Sequence, residues 1–146
     1  MTALDVKDEE VVLDACAAPG GKTLAILQEY NPKVLVAGDI HEHKIKLLET
    51  LKKENNFKNL EIVLNDARNI ENMNRVFDKI LLDVPCSGLG VLRKKPEKIY
   101  TLENSEIKKI KKIQKEIFSS AYNSLAENGE LVYSTCTFTK EENTNN

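Results

Sequence analysis

Five short, largely apolar runs punctuate the chain: VVLDA (Val11 to Ala15), VLVAGD (Val34 to Asp39), LEIVL (Leu60 to Leu64), FDKILLD (Phe77 to Asp83) and ELVYST (Glu130 to Thr135). They are β-branched or aliphatic and lack a polar face, which predicts parallel strands buried on both sides. Between the runs the apolar period lengthens to that of a helix over Lys22 to Tyr30, Glu42 to Glu54 and Ser105 to Leu125. In the last of these, Ile107, Ile110, Ile113, Ile117 and Phe118 fall on one face, and Asn128-Gly129 supplies a stop. Asp66 to Arg75 reads as a loop with one helical turn. Strand and helix alternate, so the expected fold is α/β: a mainly parallel sheet with right-handed crossovers and helices on both faces. Ligands of such sheets lie at the carboxyl ends of the strands.

Length and composition narrow this picture without changing it. A chain of 146 residues fits one domain. No apolar run approaches the roughly 20 residues that cross a bilayer, and MTALDVKDEE has no basic, apolar leader. The expectation is a cytoplasmic, monomeric protein without a membrane partner, whose thiols are reduced. Cys16, Cys86 and Cys136 show no C-x-x-C spacing and lie far from His41 and His43, so neither a metal site nor a disulfide framework is expected. Packing and reactivity both remain open for the thiols. Net charge is −2, but Arg93 to Lys115 carries nine Lys or Arg against three Glu, leaving an acidic remainder. Such a segment serves as an attachment surface for a polyanion such as nucleic acid, or as a solvated helix face. Charge alone does not separate the two.

The first strand runs into Asp14-Ala15-Cys16-Ala17-Ala18-Pro19-Gly20-Gly21-Lys22-Thr23. A Walker A loop needs glycine six residues before Lys22, where Cys16 stands, and the G-x-G-x-x-G pattern is missing as well. Small residues and two glycines still let a ligand approach backbone amides at the start of a helix. Asp39 closes the second strand, nearly 20 residues on, where an acidic side chain commonly accepts bonds from ribose hydroxyls. Asp66 follows the third strand and Asp83 ends the fourth. Taken with Asp14, these place a carboxylate at four successive strand ends, a pattern that predicts a nucleoside cofactor.

With strand order 3-2-1-4-5, the ends of strands four and five are neighbours, and Cys86 and Cys136 would face one crevice beside that cofactor. Alone, each thiol reads as packing. Together they fit a reaction on cytosine, whose carbon 5 is too electron-poor to attack a methyl donor unaided. A thiolate adding to carbon 6 makes carbon 5 nucleophilic towards a sulfonium methyl; a base then removes the carbon 5 proton and the thiol leaves. Positive charge or a helix terminus would raise the thiolate fraction. Asp83 could hold a base flipped out of its stack.

DACAAPGGKT, DVPCSGLGVLRKKPE, and YSTCT followed by EEN closely resemble the Sun (Fmu-type) family of RNA cytosine carbon-5 methyltransferases, most of all its bacterial branch acting on small-subunit (16S) ribosomal RNA. The resemblance runs from about Thr2 to Asn143. It implies a Rossmann-like methyltransferase fold and S-adenosylmethionine as cofactor. Residue by residue, it implies that Cys16, Ala17, Ala18, Pro19, Gly20, Gly21 and Lys22 cradle the methionine part, that Asp39 holds the ribose, that Asp66 sits by the adenine and that Asp83 lies near the methyl group and target base. It makes Cys136 the nucleophile and Cys86 the residue assisting release, with Arg93, Lys94 and Lys95 on RNA phosphates. Val84 stands where the family usually has alanine. The resemblance also implies one partial catalytic domain over residues 1–146, with an amino-terminal RNA-binding domain and the last strands of the sheet outside it.

Three other readings meet the same residues. Asp83-Val84-Pro85 loosely matches methyltransferases acting on exocyclic amines, but these need no cysteine pair. A non-catalytic module binding cofactor and RNA would form no covalent RNA adduct. A nicotinamide oxidoreductase lacks its glycine pattern here. Transfer RNA is the alternative substrate within the resemblance.

Overall fold

The structure, a computed structural model, describes residues 5–83 and 104–134. Five strands form one sheet in the order β3-β2-β1-β4-β5, and every neighbouring pair is parallel. The strands are β1 (Val11–Asp14), β2 (Val34–Asp39), β3 (Leu60–Leu64), β4 (Phe77–Asp83) and β5 (Leu125–Ser134). The connections are α1 (Gly21–Glu29), α2 (Glu42–Asn55), a 3₁₀ segment (Ala67–Met73) and α3 (Asn104–Asn123). Among the described residues no helix is long and apolar enough to cross a membrane.

The continuous apolar runs are explained by two cores. Successive side chains of a strand point to opposite faces, so Leu13, Val36, Ile80 and Leu82 enter one core while Val12, Leu35, Ala37 and Leu81 enter the other. Ile26 of α1 and Leu48 of α2 close the second core. The first is closed by Ile117 and Ala121 of α3 and by Ala67 and Ile70 of the 3₁₀ segment. Of the predicted apolar face of α3, Ile113, Ile117 and Phe118 pack there. Ser120 holds the two covering elements together, its buried hydroxyl accepting the Ile70 N–H at 2.6 Å.

The largest difference from the sequence expectation lies where the last helix meets β5, which starts at Leu125 and not at Glu130. The last helix ends at Asn123, not Leu125, and Asn128-Gly129 is not its stop. Ser124 makes the turn: its N–H donates to Ala121 O, and its carbonyl accepts the Phe77 N–H, which already belongs to the sheet. Asn128-Gly129 lies inside β5, where the pairing jumps from Phe77 with Leu125 to Lys79 with Glu130. Asn128 takes the left-handed φ of 67° that lets the strand bulge. The 3₁₀ segment is likewise longer than a single turn, although Asn69 breaks it with non-helical angles.

At the amino end of the sheet, Asp78 accepts the Val11 N–H at 2.8 Å and ties β1 to β4. Beside it Lys79, 7% exposed, lies 3.4 Å from Glu130 and 3.7 Å from Glu10. The longer contact is an ion pair without a hydrogen bond, since Glu10 Oε2 is buried with no hydrogen-bond partner. Removing the cation would strand that carboxylate. Lys79→Met is therefore expected to lower the unfolding free energy by about 2 kcal/mol, with Glu10→Gln added to it restoring part of the loss. Urea melts of the three proteins measure this, and a Lys79→Met melt equal to wild type would show that Glu10 is solvated instead.

Candidate functional site

At the carboxyl edge of the sheet the β1–α1 turn is built around Gly20. Its φ is +112°, and an added Cβ would lie 2.8 Å from Leu51 Cδ1 and 3.1 Å from Leu48 Cδ2. Glycine is needed both for the backbone conformation and for the close approach to α2. Cys16 to Gly20 extend the edge outward, with the Ala17 N–H donating to Gly38 O at 2.8 Å.

Asp14 fixes this turn from beneath. It is 1% exposed, and its Oδ2 accepts the Thr23 hydroxyl at 2.7 Å, linking the end of β1 to the first turns of α1. Its Oδ1 is buried without a hydrogen-bond partner. Burial pushes the Asp14 carboxyl up to about 6, the Thr23 bond opposing and Asp83 adding to the shift. Asp14 is thus an internal pin, not a ligand-facing residue, which corrects the expectation that four strand-end aspartates surround one ligand.

The other three do meet at one cavity. It measures about 580 Å³ and is lined by Asp39, Asp66 and Asp83 together with Cys16 and Ala18 of the turn. That volume lies within the usual range for small-molecule sites. Asp39, 7% exposed, accepts the Ala18 N–H at 3.3 Å and the His41 N–H at 3.0 Å, one on each carboxylate oxygen. Each oxygen keeps acceptor capacity for a ligand. Asp66 caps the 3₁₀ segment through the Arg68 N–H and receives the Arg68 guanidinium as a fork, at 2.7 Å from Nη2 to Oδ2. That pairing holds its carboxyl below the ordinary carboxylate range. Asp83 forms a 2.7 Å ion pair with Lys22, both side chains 41% exposed.

Of the remaining turn residues, Ala17 and Gly20 are buried in packing, Pro19 and Gly21 are exposed, and Lys22 reaches across to Asp83. Burial, reinforced by Asp14 and then Asp39, pushes the Cys16 thiol up to about 12, so it stays protonated and unreactive at neutral pH. Cys86, Arg93, Lys94, Lys95 and Cys136, with Val84, lie outside the described residues. The paired residues Asp83 and Ser134 end the described parts of β4 and β5, three residues before Cys86 and two before Cys136.

Sequence reasoning missed Ile40 and His41, which line the cavity from the β2–α2 turn, Lys44 from the first turn of α2, and Asn65 and Arg68 beyond β3. It read Ile113 and Ile117 only as core, yet both also wall the cavity. The one available signal was spacing: Ile40 follows Asp39 directly, and Arg68 stands two residues from Asp66.

The model of the 16S rRNA methyltransferase RsmB/F family matches residues 1–146, and the chain belongs to that family. It is 41% identical over 143 residues to ribosomal RNA small subunit methyltransferase B of Vibrio vulnificus, covering 96% of this chain and 33% of that protein. It is 40% identical over 144 residues to the probable ribosomal RNA small subunit methyltransferase B of Bacillus subtilis, covering 97% and 32%. The chain thus spans about a third of the length of these relatives. Among solved structures, NSun6 from Pyrococcus horikoshii with SFG superposes at a TM-score of 0.80 with 35% identity, over 93% of this chain and 35% of that one. The resemblance read from the motifs and the Rossmann-like sheet order both hold.

The pin at Asp14 has a pH signature. The folded chain holds this proton more tightly than the unfolded chain, whose carboxyl titrates near the ordinary value of 3.8. The contribution to stability is therefore fully present below about pH 4 and is lost as pH rises through about 6. Asp14→Asn should abolish this fall and gain on the order of 2 kcal/mol at pH 7 relative to wild type. Thermal melts between pH 4 and pH 7 provide the check, and parallel curves for the two proteins would refute it.

Proposed function

We propose that this chain forms the cofactor-binding and catalytic core of an enzyme that methylates carbon 5 of a cytosine in 16S ribosomal RNA, with S-adenosylmethionine as donor. The observation that carries the reading is the meeting of Asp39, Asp66 and Asp83 with apolar side chains around one cavity at the carboxyl edge. Family membership supports it, as does the relative solved with SFG, an S-adenosylmethionine analogue.

The residues fit the cofactor's chemistry. S-adenosylmethionine supplies an electrophilic methyl group on a sulfonium, and also carries an ammonium, a carboxylate, a ribose and an adenine. Carboxylates suit its cations and ribose hydroxyls, and Asp39 is the ribose acceptor in this reading. Ile40, Ile113 and Ile117 offer apolar walls for a flat base. Backbone N–H groups of the Cys16 to Lys22 turn suit the carboxylate. Asp66, already engaged by Arg68, shapes the adenine end.

Asp83 orients the target cytosine through its exocyclic amine or protonated ring nitrogen, and Lys22 holds Asp83 in place. The Cys136 thiolate would add to carbon 6 and make carbon 5 nucleophilic towards the cofactor's methyl group, whose sulfonium would leave as a neutral thioether. Cys86 then assists release: the carbon 5 proton leaves to a base and the bond to Cys136 breaks, restoring the thiolate. Arg93, Lys94 and Lys95 neutralise RNA phosphates.

The two thiols give opposite mutant phenotypes. In a protein of the relatives' full length, Cys136→Ser should reduce methyl transfer by about a thousandfold or more. Cys86→Ala should instead accumulate a covalent protein–RNA species, visible as a slow band on a denaturing gel. An active Cys136→Ser enzyme, or an adduct that forms without Cys136, would contradict the assignment.

A further inference from the structure

Helix α3 carries Lys108, Lys109, Lys111, Lys112 and Lys115 but no basic residue in its last turn. Four of the five are exposed, and Lys111 is half-buried. Lys108, Lys111, Lys112 and Lys115 are spaced three or four residues apart and form one stripe, opposite the face that buries Ile113 and Ile117.

Helix stability does not account for this placement. Like charges at that spacing repel. The helix dipole favours cations in the last turn, where there are none. None of the five joins the salt bridges found among the described residues. Apart from Glu106 and Glu116, the helix has no acidic residue to offset them.

The location is specific as well. The carboxyl end of α3 lies at the amino edge of the sheet, where Ser124 O accepts the Phe77 N–H, so its amino half lies towards the cavity. Lys108, Lys109, Lys111 and Lys112 lie on the amino side of Ile113 and Lys115 two residues beyond it, spanning about 10 Å of helix from Lys108 to Lys115. Between α3 and the 3₁₀ segment runs a shallow depression of about 370 Å³, bordered by Lys112, Lys115 and Arg68, with Glu71 and Glu116 the acidic residues there. Arg68 also lines the cofactor cavity. Lys112 and Lys115 thus border the depression that leads towards the cavity rim at Arg68, whose guanidinium is paired with Asp66 at 2.7 Å and lies 3.9 Å from Glu116.

We infer that the lysine stripe of α3 is a track for the phosphate backbone of the RNA strand beside the target nucleotide. This rests on the methyltransferase reading above and adds a surface to it. A single strand neutralised by several lysines releases counterions, so binding should weaken steeply with salt. The contacts are to phosphates, so sequence should matter little.

The test uses the 146-residue chain and a fluorescein-labelled, single-stranded oligoribonucleotide of mixed sequence, titrated by anisotropy at several salt concentrations. Replacing Lys108, Lys112 and Lys115 together by Gln should weaken binding at least about tenfold and reduce the slope of log affinity against log salt by about 2. The Lys→Arg triple variant should bind as wild type. S-adenosylmethionine binding, followed by calorimetry on the same samples, should be unchanged in both variants. The proposal is overturned if the Gln variant keeps wild-type affinity and slope, or if wild type binds the cofactor but not RNA. It is also overturned if polyglutamate competes as well as RNA does, which would indicate an acidic protein partner. Lysine-dependent RNA binding by a chain that ignores S-adenosylmethionine would support the track and count against the cofactor reading alone.

Discussion

A parallel sheet must be covered on both faces, because its strands pack apolar side chains above and below. In this chain that requirement sends α1 and α2 to one face and the 3₁₀ segment and α3 to the other. The sheet interior then has no place for a ligand-facing polar group. Carboxylates are left for the strand ends, where Asp39 and Asp83 close β2 and β4 and Asp66 follows β3. The cavity is a consequence of this arrangement. Its floor is the sheet edge, and one wall is the same α3 surface that closes a core.

Two residues hold the edge in shape. Asp14 accepts the Thr23 hydroxyl below the turn, and Gly20 lets the turn settle onto Leu48 and Leu51 above it. The buried Asp14 carboxyl is costly when ionised. It raises the Cys16 thiol in turn, second only to burial itself. The same acidic surroundings that keep this thiol inert suit a ligand bearing positive charge. At the far end of the sheet, Lys79 with Glu10 and Glu130 plays a structural part that no motif in the sequence announces.

Much of this was legible in the sequence because apolar period and strand-end chemistry are local signals. The runs at Val34–Asp39, Leu60–Leu64 and Phe77–Asp83 coincide with β2, β3 and β4. The strand order 3-2-1-4-5, assumed for the expected fold, is the order observed. What escaped depended on tertiary contacts. Asn128-Gly129 is as good a helix stop as it is a bulge, and only the pairing of β4 with β5 decides between them. Asp14 resembles Asp39 in the sequence, yet Thr23 claims one and the cavity the other. His41, Lys44 and Arg68 reach the cavity from the β2–α2 turn, the start of α2 and the start of the 3₁₀ segment, at positions that apolar periodicity does not mark.

Calorimetric titration of the 146-residue chain with S-adenosylmethionine is the measurement to make first, because it asks whether the carboxyl-edge cavity binds the cofactor through Asp39. Saturable 1:1 binding is expected, weakened at least about tenfold by Asp39→Ala through loss of a charged acceptor. A folded chain that shows no binding, or an Asp39→Ala variant that binds as wild type does, would contradict it.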